Sequence, residues 1–119
     1  MKRIISLVAC IMMVVFCVAD VMADRLPGAP STSATPQGSS VTARVTLSGK
    51  SGYYAFVSFQ LSVIYNYTGY GPYPKHANAS GGSSSKGKGI TVTTTIVPNH
   101  AGDTIINYSI SQVTGYYEN

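Results

Sequence analysis

The sequence predicts an all-β protein: a small antiparallel sheet or minimal β-sandwich built from two hairpins, preceded by a cleaved signal peptide and a disordered leader. Three observations carry this expectation. From Val41 onward, apolar and polar residues alternate with a period of two in several separate runs, the pattern of strands with one buried face. After residue 23 no stretch shows a 3.6-residue apolar period, and Thr, Val, Ile, Tyr, Ser and Gly dominate, residues that favour strands and turns over helices. At the N-terminus, Lys2 and Arg3 precede an apolar run from Ile4 to Ala19, and Val21-Met22-Ala23 offers small residues where a signal peptidase reads.

Cleavage after Ala23 leaves a mature chain from Asp24 to Asn119; Cys17-Val18-Ala19 marks a less favoured cut after Ala19. The apolar run is shorter than the roughly 20 residues a membrane-spanning helix needs, and no second run of that length follows. A secreted chain with no transmembrane segment after cleavage is therefore expected, at the cell surface, in the periplasm or outside the cell. Leu7-Val8-Ala9-Cys10 resembles a lipoprotein box. It is disfavoured because its apolar segment before Cys10 is short and an apolar tract from Ile11 to Ala19 would remain behind it. Cys10, Cys17 and all four methionines fall before residue 24, so the mature chain can form neither a disulfide framework nor a thiolate nucleophile. Its stability must come from packing, hydrogen bonds or association.

Residues 24–40, DRLPGAPSTSATPQGSS, combine three prolines with small polar residues and are expected to be a disordered leader. The all-β domain is placed at 41–119. Val41, Ala43, Val45 and Leu47 define a first strand, Ser48 to Gly52 a turn, and Tyr53, Ala55, Val57, Phe59, Leu61, Val63, Tyr65 and Tyr67 a second strand. These two form the first expected hairpin. The second strand is long against the usual five or six residues, so a bend or a bulge is expected near Ser58 to Ser62. Ile90 to Ile96 and Thr104 to Thr114, joined by a turn at Pro98 to Asp103, form the second hairpin, and the change of parity at Val113 predicts a bulge near Ser111 or Gln112. Between the hairpins, residues 68–89, TGYGPYPKHANASGGSSSKGKG, read as a long loop: a stiff aromatic half, then flexible slack.

The mature charge is +3, with Arg25, Arg44, Lys50, Lys75, Lys86 and Lys88 against Asp24, Asp103 and Glu118. Its spread is unlike the clustered basic face of a nucleic-acid binder, and no nucleic-acid partner is expected. Gly82, Gly87 and Lys88 fit GxxxxGK, but Gly89 replaces the hydroxyl residue that would hold Mg²⁺, and ITVTTTIV follows where a helix should start. His76 and His100 have no second ligand at metal-like spacing, so neither metal nor cofactor is expected. Asp103 lies three residues after His100, yet no pair of facing carboxylates or assembled triad can be read from the chain. The expected function is non-enzymatic.

All nine tyrosines lie in the mature chain. Tyr53, Tyr65, Tyr67 and Tyr108 are expected on strand faces as cross-strand partners. Tyr70 and Tyr73 sit instead in GYGPYP, where a ring offers contact area at low entropic cost. Tyr70, Tyr73, Lys75, Lys86 and Lys88 are the candidate binding residues. Three sequences match the N-glycosylation acceptor pattern, at Asn66, Asn78 and Asn107, a pattern that arises readily by chance in a chain so rich in Asn, Ser and Thr. The expected activity is binding of a surface glycan or protein, or self-association through an edge strand. A small secreted toxin or antimicrobial protein is the alternative, disfavoured by the lack of a basic amphipathic segment.

Overall fold

Alternation starting at Val41 proves to be the organising pattern of the structure. The computed structural model describes residues 25–119, and the expected signal peptide lies outside them. Seven strands follow in order: β1 (Arg25–Pro27), β2 (Ser31–Gln37), β3 (Ser40–Leu47), β4 (Tyr54–Tyr67), β5 (Gly71–Gly82), β6 (Ile90–Ile96) and β7 (Thr104–Glu118). They make two antiparallel sheets, one of order β1-β7-β4-β5 and one of order β2-β3-β6. No helix among the described residues is long and apolar enough to cross a membrane.

The core lies between the sheets. Val41, Ala43, Val45 and Leu47 from β3 meet Ala55, Val57, Phe59, Leu61, Val63 and Tyr65 from β4, and Ile96 of β6 completes the buried set. Every one of these positions belongs to an inward phase of a two-residue alternation. The faces are as expected, but the pairing is not. β3 and β4 are not a hairpin; the chain crosses from one sheet to the other between Leu47 and Tyr54. Side by side in one sheet, two wholly apolar faces would both need a cover. Facing each other, they cover themselves.

The same logic dissolves the second expected hairpin, since β6 pairs with β3 and β7 with β4. On the outer face of the smaller sheet, the threonines of β3 and β6 bond across the strands, Thr42 to Thr95 at 2.9 Å and Thr46 to Thr91 at 3.0 Å. The crossing after β3 needs glycine at Gly49, where a Cβ would lie 2.2 Å from the Gly87 carbonyl oxygen.

Two segments expected to be irregular are strands. Residues 31–37 of the expected leader pair along their whole length with β3. Their small side chains bury little, but Ala34 packs against the core, and Pro36 is tolerated because β2 is an edge strand. Residues 71–82, within the expected 68–89 loop, pair one for one with β4 as β5. Its inward residues Ala77, Ala79 and Gly81 leave room for β6: a Cβ on Gly81 would come within 3.0 Å of Val92. In β4, Ala55 exchanges bonds with Ser83 on the β5 side, its carbonyl accepting from the Ser83 amide and its amide donating to the Ser83 hydroxyl. The odd-numbered residues of β4 therefore bond toward β5, and Pro72 and Pro74, opposite Asn66 and Ile64, turn their missing donors to the free edge.

β4 runs unbroken against β5, which corrects the expected bulge at Ser58 to Ser62. Both register shifts lie in β7, one where Ser58 and Gln60 oppose Thr114 and Ser111, the other where Ile64 and Tyr65 oppose Asn107 and Ile105. The first is the bulge expected near Gln112, whose φ is 54°.

Leu61 is wholly buried at the middle of β4. Leu61→Ala is expected to lower unfolding stability by about 2–5 kcal/mol, read from the denaturant midpoint at unchanged slope.

Candidate functional site

At the end of the sandwich where β4 turns into β5 and the chain crosses from β6 to β7, aromatic and polar side chains converge. Two tight turns build this end. Tyr67 to Tyr70 closes with a bond from the Tyr70 amide to the Tyr67 carbonyl at 2.9 Å, and His100 to Asp103 closes likewise at 3.2 Å. Each has a positive-φ glycine at its third position, Gly69 at 88° and Gly102 at 90°, as a type II turn requires. The second turn was expected from its composition; the first replaces the start of the expected loop.

The turns bring their rings together. His100 stacks on Tyr67 with centroids 3.8 Å apart and planes 3° from parallel, and Tyr70 stacks on Tyr67 at 4.7 Å. Tyr73 meets both Tyr67 and His100 edge-on, the arrangement that the ring quadrupole favours. Below them Tyr65 is fully buried and stacks with Tyr73 at 5.5 Å. Its hydroxyl donates to the Ser39 carbonyl at 2.6 Å, bridging to the other sheet.

Asp103 ties the cluster from within. Its side chain is 3% exposed, the one buried charged group among the described residues. It accepts hydrogen bonds from the Tyr73 hydroxyl and from His100 Nδ1, the latter at 3.0 Å. The Asn99 amide donates to the Tyr73 hydroxyl at 2.9 Å. Burial alone would push the Asp103 carboxyl up, but the bonds from Tyr73 and His100 and the charge of the imidazole together hold it below the usual carboxylate range. Burial pushes the Tyr73 hydroxyl up, reinforced by its bond to Asp103. The Tyr65 hydroxyl is raised first by burial and then by the Asp103 charge.

The five candidate residues do not form one site. Tyr70 is 78% exposed and presents its ring. Tyr73 is a structural member, its hydroxyl bonded on both sides. Lys75 reaches the Val97 carbonyl at 2.7 Å and fastens the crossing chain to β5. Lys86 and Lys88 lie at the other end of β5, about 35 Å away along a strand of this length. Lys86 sits 5.9 Å from the Tyr54 ring. In the GxxxxGK-like run three amides are committed, Ser83 donating to the Ala55 carbonyl, Gly87 to the Tyr53 carbonyl and Lys88 to the Ser85 carbonyl, so these three are not open to a phosphate.

Tyr67, Asn99, His100 and Asp103 join the site although only Tyr70 and Tyr73 were expected there. The spacing of His100 and Asp103 was the one signal for them. Among the described residues no three His, Cys, Asp or Glu side chains gather as metal ligands. A hollow of about 300 Å³ in mid-sheet, lined by Ser58, Asn78, Ser80 and Gln112 among others, collects no titratable group. Compared with known families, characterised proteins and solved structures, the chain matches none.

Because the folded Asp103 carboxyl titrates lower than the unfolded one, its contribution is present above the unfolded value near 3.9 and lost as pH falls through the folded value. Acid melting curves should therefore show wild type losing stability below about pH 4, whereas Asp103→Asn starts lower and changes less over the same range.

Proposed function

We propose that the protein is exported and acts without catalysis, binding an extracellular or cell-surface glycan through its aromatic end. The observation that carries this reading is the Tyr70 ring, exposed over most of its surface and backed by Tyr67 and His100. A ring held flat by stacked neighbours loses little entropy on contact. Its face is apolar and uncharged, which suits the C–H face of a sugar ring. Lys75 is anchored to the Val97 carbonyl and keeps its charge, whereas the exposed ring of Tyr70 is uncharged, so the ligand need not be acidic to stack there. The apolar N-terminal run with its small-residue cut site supports export.

Affinity electrophoresis against a panel of neutral polysaccharides tests this reading. Tyr70→Ala is expected to weaken retention about 3- to 10-fold, the worth of one aromatic stacking contact, with an unchanged melting curve. Tyr73→Phe should keep binding but lower stability, because Asp103 loses a donor. Equal retention of wild type and Tyr70→Ala would remove Tyr70 from the binding surface.

A further inference from the structure

A second surface lies along β7 and does not depend on the aromatic end. β1 covers β7 only at Tyr116 to Glu118, after which the Gly28 amide bonds the Gly115 carbonyl at 2.9 Å and the chain leaves for β2. From Thr104 to Thr114, β7 has β4 on one side and no strand on the other. That stretch, TIINYSISQVT, contains no proline and no charge. The edges formed by β5 and β2 carry Pro72, Pro74 and Pro36, the usual defence of an edge strand. β6, the remaining uncharged edge, is shorter and packs against β5.

The bonding phase of this edge can be read. The even-numbered residues of β4 bond toward β7, so Val63 and Leu61 face Tyr108 and Ile110 as non-hydrogen-bonded pairs. The amides and carbonyls of Tyr108 and Ile110 therefore point outward, in the same phase as the Gly115 carbonyl that Gly28 takes. Consistently, the Tyr108 amide is held by the Asn107 side chain at 2.8 Å. On the inner face, Tyr108 and Val113 remain 36% and 37% exposed, because the strand above them, β2, supplies only small side chains.

We propose that this edge pairs with the same edge of a second copy, antiparallel about a two-fold axis through Ser109. The segment Asn107–Ser111 between the two bulges is the regular part of the edge, and it is self-complementary. Ser109 meets Ser109, Tyr108 lies opposite Ile110 on the inner face, and Asn107 lies opposite Ser111 on the outer face. Tyr108 and Ile110 then exchange both backbone bonds across the axis, twice over. An aromatic opposite a β-branched residue is a favourable pair, and no like charges meet. Registers centred on Tyr108 or Ile110 would draw the bulged Ile106 or the positive-φ Gln112 into the ladder. The Asn107 side chain must release the Tyr108 amide first, so the dimer is weak and concentration-dependent.

A chain of residues 24–119, which contains every strand and the core of the described residues, is suited to sedimentation equilibrium. Wild type is expected to show a monomer–dimer equilibrium. Ser109 is exposed on the outer face, so Ser109→Lys and Ser109→Glu spare the core. Each alone places like charges opposite one another and should raise the dimer dissociation constant at least about tenfold. Mixing the two should restore or exceed wild-type association. A wild type that stays monomeric at its solubility limit overturns the proposal, even if it captures a foreign β-strand peptide. So does any oligomer that both single variants leave intact.

Discussion

Everything else in this fold depends on the contact between the inner faces of β3 and β4. Each strand has an unbroken apolar face, and the described chain has no disulfide or metal cluster to hold it together. Ten of the eleven buried apolar residues come from these two strands, Ile96 being the exception. Only by crossing between sheets at Gly49 can the chain set one face on the other. The remaining strands extend the two sheets around this contact, held by backbone ladders and by partly buried side chains such as Ala34, Ala77, Val92 and Ile110.

The sequence announced faces far better than neighbours. A period of two says which side of a strand is buried, and the residues so assigned are buried from Val41 to Leu47 and from Ala55 to Tyr65, while Tyr53 and Tyr67 at the ends are half-buried. It does not say which strand lies beside which. Short connections suggested hairpins at Leu47–Tyr53 and Ile96–Thr104; the burial requirement of two fully apolar faces made them crossings. β2 and β5 were illegible for a different reason. Beyond Gly71, Tyr73 and Lys75 at one end of β5, their inner positions hold Thr32, Ala34, Pro36, Ala77, Ala79 and Gly81, which carry almost no hydrophobic signal. They are strands because their neighbours present ladders, and in β5 also because small residues let the opposite sheet approach. The prolines that argued for irregular chain in β5 sit where no donor was needed.

The aromatic end was half legible. Tyr70 and Tyr73 stood out by their setting among Gly and Pro, but their roles differ in a way only the fold decides. Tyr73 occupies the inward phase of β5, so its ring stacks on Tyr65 and its hydroxyl meets a carboxylate. Tyr70 belongs to the turn and has no strand phase to bury it. His100 and Asp103 carried a spacing that suits either a catalytic pair or a turn. The type II turn brings both onto one bonding network, where the imidazole is spent on stacking and on orienting Asp103. Lys86 and Lys88 were grouped with the tyrosines by proximity in sequence, which a twelve-residue strand then pulled apart.

A core drawn from two central strands also explains why the two long sides of the sandwich differ. On the β5–β6 side, Ile90 and Val92 lie over Ala77, Ala79 and Gly81, large residues against small ones, and the sheets close on each other. On the β7–β2 side the sizes do not compensate. β7 brings Tyr108, Ile110 and Val113, but β2 brings Thr32, Ala34 and Pro36, and the register shifts in β7 displace its side chains further. The sheets therefore remain apart along this side, and apolar surface stays in water. The cost of that exposure is borne by β7, whose outer backbone groups from Thr104 to Thr114 also have no strand beside them. An added strand would satisfy both deficits at once, whereas a larger side chain on β2 could relieve only the first.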